Sequence, residues 1–93
     1  MKIRVTCQDK YEAQKLASIV YLKESNETFI TEILNIVENE LVVALKDKSA
    51  HSVMLKDKSH VEAFADFLQS VIEKEHKITD TATFGSDVEI IKS

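Results

Sequence analysis

The chain of 93 residues has a net charge of −4, with 44% apolar and 30% charged residues, which indicates a single globular domain over 1–93. No apolar run approaches the roughly 20 residues of a membrane helix, and the amino terminus lacks the apolar stretch of a signal peptide. One cysteine excludes an internal disulfide, so the composition does not point to an oxidising compartment.

The chain begins with a strand followed by a helix. Residues 2–7 alternate in polarity, with Ile3 and Val5 on one side, which predicts a half-buried strand. Asp9 and Glu12 have the spacing of a capping box, so we expect a helix from there to about Lys23. Its apolar stripe recurs every three or four residues, at Ala13, Leu16, Ala17, Val20 and either Ile19 or Lys23.

The middle of the chain allows two interpretations. Phe29, Ile30, Ile33, Leu34, Val37 and Leu41 have helical spacing, which would give one helix over 27–46. The segment is also dense in Thr, Ile and Val, which pack well on sheets. We favour three antiparallel strands, at about 28–37, 40–47 and 51–56. A tight turn within Val37–Leu41 would join the first two, with Asn39 accepting a left-handed backbone.

A second helix is predicted from the capping box Ser59–Glu62 to about His76 and Lys77. Its apolar face comprises Val61, Phe64, Ala65, Leu68, Val71 and Ile72, opposite Glu62, Asp66, Gln69 and Glu73. Residues 78–86 are expected to form a loop that bends at Gly85. Residues 87–92 are expected to form a strand, with Val88 and Ile90 inward, that pairs with the first strand or with a second copy.

These elements predict an α+β fold. The order is β-α-β-β-β-α with a final β, in a small antiparallel or mixed sheet that carries both helices on one face.

Acidic residues are concentrated in the middle of the chain. Residues 24–45 contain no Lys or Arg and five glutamates: Glu24, Glu27, Glu32, Glu38 and Glu40. Such a segment repels polyanions and steers a basic partner toward the surface, so we expect these side chains to bind one. An alternative interface for nucleic acid would place six basic residues on one edge: Lys2, Arg4, Lys46, Lys48, Lys56 and Lys58.

Little in the sequence indicates catalysis. Cys7 precedes a helix, where the dipole favours a thiolate, but no base is placed near it, so we expect a small buried residue. The three histidines lack the spacing of a metal site, and we expect no metal or cofactor. The five residues Leu45–Ser49 recur as Leu55–Ser59, which we assign to turn chemistry.

Exclusion leaves an interaction protein. We expect a cytoplasmic, non-enzymatic binder that inhibits or regulates another macromolecule, as viral and mobile-element inhibitors do. Its expected partner is a protein with a basic surface, and an unpaired sheet edge would also favour a homodimer. A membrane is not expected, and nucleic acid is disfavoured. A nucleic-acid-binding regulator is the alternative function, and a small enzyme built on Cys7 comes third.

Overall fold

The computed structural model describes residues 1–22, 27–28, 30–74 and 76–93, except for the side chains of residues 22, 27, 28 and 74. In chain order the elements are β1 (Lys2–Thr6), α1 (Lys10–Val20), β2 (Tyr21–Leu22), β3 (Glu27–Thr28), β4 (Ile30–Val37), β5 (Glu40–Leu45), β6 (Ala50–Met54), α2 (Lys58–Lys74), β7 (Ile78–Phe84) and β8 (Asp87–Lys92). The predicted α+β class is confirmed.

Both helices begin at an aspartate. A carboxylate oxygen of Asp9 accepts a hydrogen bond from the backbone N–H of Glu12 at 2.9 Å, as the sequence predicts. For α2 the sequence predicts Ser59 as the capping residue, and this is wrong. The carboxylate of Asp57 accepts the hydrogen bond from the backbone N–H of His60 at 3.1 Å. The Ser59 hydroxyl donates to the same carboxylate at 2.7 Å and therefore does not cap the helix.

The strands pair antiparallel in two three-stranded sheets, ordered β1-β8-β7 and β4-β5-β6, beside the short β2-β3 pair. An antiparallel bridge between Cys7 and Leu55 joins the ends of β1 and β6. We expected one sheet under two helices. Instead α1 packs on β7 and β8, and α2 packs on β4, β5 and β1.

Three expectations for the strands have clear outcomes. Residues 30–37 and 40–45 are strands, so the alternative of one helix over 27–46 is wrong for the described residues. The loop predicted over 78–86 is also wrong, because 78–84 form β7, whose Thr-rich sequence suits an exposed strand. The final strand lies between β1 and β7, so it presents no edge to a second copy.

The core fills the space between the helices and the two sheets. Most of the inward positions predicted for the strands and helices are buried, with Leu16, Leu41, Phe64, Leu68 and Ile90 fully so. Four of them are half-buried: Ile3, Ala17, Ala65 and Ile72. Lys92 is also buried, at 4% exposure, on the same face of β8 as Val88 and Ile90. Its ammonium donates to the Ser70 hydroxyl and lies 4.8 Å from the centre of the Phe67 ring.

The chain contains the unit β-α-β-β twice. Residues 1–45 supply β1, α1, β4 and β5, and residues 49–92 supply β6, α2, β7 and β8 in the same order. The capping residues Asp9 and Asp57 lie 48 positions apart, as do Ile30 and Ile78, each of which begins the sequence Ile-Thr-acid.

Hydrogen bonds repeat between the two halves at the same interval. The Gln8 N–H donates to the Met54 carbonyl, and the Lys56 N–H donates to the Thr6 carbonyl, both at 2.9 Å. The Thr6 N–H donates to the ring of His60, and the Met54 N–H donates to the carboxylate of Glu12. The molecule therefore has a pseudo-twofold axis beside the Cys7–Leu55 bridge.

The two halves exchange their hairpins. The hairpin β4-β5 of the first half pairs with β6 and packs under α2 of the second half. The hairpin β7-β8 pairs with β1 and packs under α1 of the first half. Each half therefore completes the core of the other.

Candidate interaction surface

The acidic segment lies around the first hairpin. Glu32 is exposed on β4, Glu38 is exposed in the turn after it, and Glu40 is half-buried at the start of β5. Glu24 and the side chain of Glu27 lie outside the described residues. Neither Glu32 nor Glu38 forms an ion pair with another described residue, since the ion pairs of the described part lie at β1, β8 and α1.

Apolar side chains are exposed on the same strand. Leu34 is 48% exposed, Ile36 39% and Val37 53%, three of the six large apolar side chains most open to solvent in the described residues. β4 is the outer strand of its sheet and pairs only with β5 among the described strands. Ile36 pairs with the buried Leu41 and Val37 pairs with Glu40, so these two side chains lie on opposite faces of the strand and the apolar group lines the open edge of β4. We call Glu32, Leu34, Ile36, Val37 and Glu38 the β4 surface.

A bulge shapes this surface. Ile33 pairs with Val43 and Asn35 with Val42, which leaves Leu34 as an extra residue without a partner on β5. β4 and β7 both have a bulge near their start, but β7 continues in regular register from Asp80 to Phe84. Leu34 therefore has no counterpart in the second half, and the bulge interrupts the alternation of faces along β4.

β7 occupies the equivalent edge of the other sheet and is polar. It reads Ile-Thr-Asp-Thr-Ala-Thr-Phe, and among its residues only Phe84 is a large exposed apolar side chain. Phe84 pairs with Asp87 as Val37 pairs with Glu40, and each is 53% exposed. Arg4 lies 5.1 Å from the centre of the Phe84 ring, so Phe84 already has a partner within the molecule.

One backbone group on the β4 surface faces away from the sheet. The N–H of Ile36 donates to the side-chain oxygen of its neighbour Asn35 at 3.0 Å. On β7 the N–H of Thr81 donates to the carboxylate of Asp80 at 2.9 Å in the same manner. Both edges thus satisfy an outward donor with a local side chain, which an incoming group can replace.

The six basic residues of the alternative interface do not form one edge. Lys2 pairs with Glu89 at 3.8 Å, and Arg4 pairs with Asp87 at 3.2 Å, which neutralises both cations. Lys46 and Lys48 lie in the turn before β6, whereas Lys56 and Lys58 follow its other end. The structure therefore separates Lys46 and Lys48 from Lys56 and Lys58 by the length of β6, and the Lys56 N–H donates to the Thr6 carbonyl, which places Lys56 beside the end of β1.

Cys7 is buried, at 2% exposure. Burial raises the pKa of its thiol from the ordinary value of 9.0 to about 12, and the negative charges of Glu12, Asp87 and Asp9 act in the same direction. Desolvation therefore outweighs the neighbouring helix N-terminus. The expectation of a small buried residue at the end of β1 agrees with this environment.

Ser49, Asp47 and His51 form a cluster in the turn before β6. The Ser49 hydroxyl donates to Asp47 and lies 2.9 Å from Nε2 of His51. These contacts join three residues of one turn and close it. Asp47 and Asp57 each accept hydrogen bonds from a serine two residues later, which explains the recurring five residues as turn chemistry.

Other sites can be described briefly. In the part of the chain that the structure covers, no three His, Cys, Asp or Glu side chains meet as a metal site requires. Neither described helix combines the length and apolar character needed to cross a membrane. Comparison with known proteins gives no match to a family model, a curated protein or a solved structure.

The charge pattern of the sequence points to the acidic residues, whereas no pattern points to Leu34, Ile36 and Val37. The apolar run over residues 29–41 fits both a helix and a strand, and neither pattern shows which of its side chains stay exposed. Aligning residues 30–37 with residues 78–84 would have revealed them, since the two hairpins occupy the same place in the fold and only the first is apolar.

Proposed function

We propose that this protein is a non-enzymatic binding module that inhibits or regulates another macromolecule through the β4 surface. The observation that supports this most strongly is the difference between two equivalent edges. β4 exposes Leu34, Ile36 and Val37, while β7 is polar apart from Phe84. An edge strand that contacts only solvent is expected to be polar, as β7 is, because an exposed apolar edge promotes association with other chains.

The charge of this surface supports the same proposal. Glu32 and Glu38 flank the apolar side chains and make no ion pair within the described part of the chain. An apolar centre with a charged rim is the usual composition of a protein interface. The proposal places the protein in the cytoplasm, where a chain with one buried free thiol is stable without disulfides. An origin as a viral or mobile-element inhibitor remains part of the proposal.

Differential capture tests the proposal. The baits are the full-length protein, Val37→Lys and Phe84→Lys, immobilised in the same way and incubated with a lysate of the native host. Val37 and Phe84 have equal exposure and equivalent places in their hairpins, so the two variants add the same charge to matched sites.

We expect quantitative mass spectrometry to find proteins that wild type and Phe84→Lys retain and Val37→Lys loses. Their retention should fall at high ionic strength, because screening weakens attraction between exposed charges. Equal retention by all three baits, or retention by none, would contradict the proposal.

A further inference from the structure

Acidic and apolar side chains follow one another in a fixed order along the β4 surface. Glu32 stands at one end and Glu38 at the other, with Leu34, Ile36 and Val37 between them. Glu32 and Val37 pair with residues four positions apart on β5, so at about 3.3 Å per residue the distance along the strand from Glu32 to the turn at Glu38 is roughly 15 Å. A ligand that satisfies both charges must therefore be extended and must cover the apolar side chains between them.

A second copy of this chain fits the surface poorly. The antiparallel register that brings Leu34 of one copy opposite Ile36 of the other also brings Glu32 opposite Glu38, twice across the twofold axis. Like charges in directly opposed positions destabilise a strand pair. Each copy also has a net charge of −4, which adds repulsion between two copies.

A segment with basic ends and an apolar centre complements the same features. Lys and Arg place their aliphatic stems on apolar surface while their charged groups reach a carboxylate. Residues 24–45 contain no Lys or Arg, so the basic groups must come from the partner. The outward N–H of Ile36 offers the segment a backbone hydrogen bond in place of the one that it makes with Asn35.

We infer that the occupant of the β4 surface is an extended segment of a partner protein, with Lys or Arg residues flanking about five mainly apolar residues. This rests on the proposed function and names the chemistry of its partner. The segment lies along β4, its apolar side chains contact Leu34, Ile36 and Val37, and its basic groups pair with Glu32 and Glu38.

Peptide selection identifies the occupant without knowledge of the natural partner. A phage-displayed library of random peptides of about 12 residues, longer than β4 when extended, is selected at low ionic strength on the immobilised full-length protein. We expect enriched peptides to carry Lys or Arg on both sides of an apolar stretch and to lack internal proline.

Binding of the enriched peptide, made synthetically, is then measured with variants. Glu32→Gln and Glu38→Gln should each raise the dissociation constant roughly two- to fivefold, the range for exposed ion pairs. Glu62→Gln, which removes one carboxylate from the exposed face of α2, should leave it unchanged. Val37→Lys should abolish binding, and Phe84→Lys should preserve it.

Other results separate the two proposals. Enriched peptides that are neutral or acidic, yet bind wild type and not Val37→Lys, would overturn the inferred chemistry and leave the proposed function intact. Peptides that bind wild type and Val37→Lys equally would overturn both. A selection that enriches no peptide would overturn the inference that a short extended segment is recognised.

Discussion

At the scale of single residues, two equivalent turns share one backbone requirement and meet it with different residues. Glu38 has φ 55° and Gly85 has φ 62° at the first position of the turn in each hairpin. Asn39, expected to take this conformation, instead donates its side-chain amide to the Leu55 carbonyl at 2.9 Å and so fixes the hairpin tip near the pseudo-twofold axis. The left-handed backbone therefore falls on a residue for which it is unfavourable.

One substitution in each turn tests this requirement for a left-handed backbone. Glu38→Gly should raise the free energy of unfolding by about 0.5–1 kcal/mol, because relief of the left-handed strain exceeds the added chain entropy. Gly85→Ala should lower it by a similar amount through strain alone, since no atom lies within 4 Å of the added Cβ. Denaturant unfolding measures both, and an unchanged midpoint for either variant would contradict the assignment.

The buried thiol predicts a dependence on alkaline pH. Folding raises the pKa of Cys7 from 9.0 to about 12, so the folded state holds the neutral thiol while the unfolded state ionises. The free energy of unfolding is therefore unaffected by this thiol below pH 9. It falls by about 1.4 kcal/mol per pH unit as the pH rises from 9 toward 12.

A comparison with Cys7→Ala isolates this effect from the titration of lysines. Between pH 9 and 11 the free energy of unfolding should fall more steeply for the wild type than for the variant. In the wild type, a thiol reagent at neutral pH should label Cys7 only after denaturation. Equal pH dependence, or rapid labelling of the folded protein, would show that the thiol is accessible.

At the scale of elements, β4 differs from β7 by one inserted residue. Leu34 has no partner on β5 and no counterpart in β7, so a chain without it regains the regular register of β7. We expect deletion of Leu34 to leave circular dichroism and the cooperativity of unfolding unchanged and to abolish capture of the partner. Loss of the folded state on deletion would mean that the bulge supports the sheet.

The sequence predicts elements where one periodicity dominates and fails where two compete. α2 and β5 were predicted because Val61, Phe64 and Leu68 recur at helical spacing, and Leu41 and Val43 alternate strictly. β7 was missed because its alternating residues are polar on both faces. The sequence does not predict that Leu34 is exposed, because a bulge changes which face of β4 each side chain occupies and no local residue pattern marks the bulge. Lys92 was missed as a core residue because its partners Phe67 and Ser70 are distant in sequence.

At the scale of the whole molecule, the chain behaves as two β-α-β-β halves with exchanged hairpins. The termini occupy the place that the turn after β5 occupies in the other half. The Lys92 N–H donates to the Met1 carbonyl at 2.8 Å, as the Leu45 N–H donates to the Ser49 carbonyl at 3.0 Å. Pseudo-symmetry therefore makes these two connections interchangeable.

A circular permutant tests the duplication. Joining Ser93 to Met1 through a short glycine linker and opening the chain between Asp47 and Lys48 exchanges the order of the halves and leaves every strand intact. We expect this chain to fold with the circular dichroism of the wild type and to unfold in one cooperative transition. A permutant opened inside β5 serves as the control that should not fold, and failure of both chains would contradict the equivalence of the connections.

The central claim is that the β4 surface contacts the partner, and hydrogen exchange of backbone amides tests it most directly. Exchange is measured by mass spectrometry on the full-length protein with and without the enriched peptide or the captured partner. The account predicts slower exchange for residues 32–38 on binding and no change for residues 80–84 of β7. Protection confined to β7, to the helices or to the turn 46–49, with β4 unchanged, would contradict it.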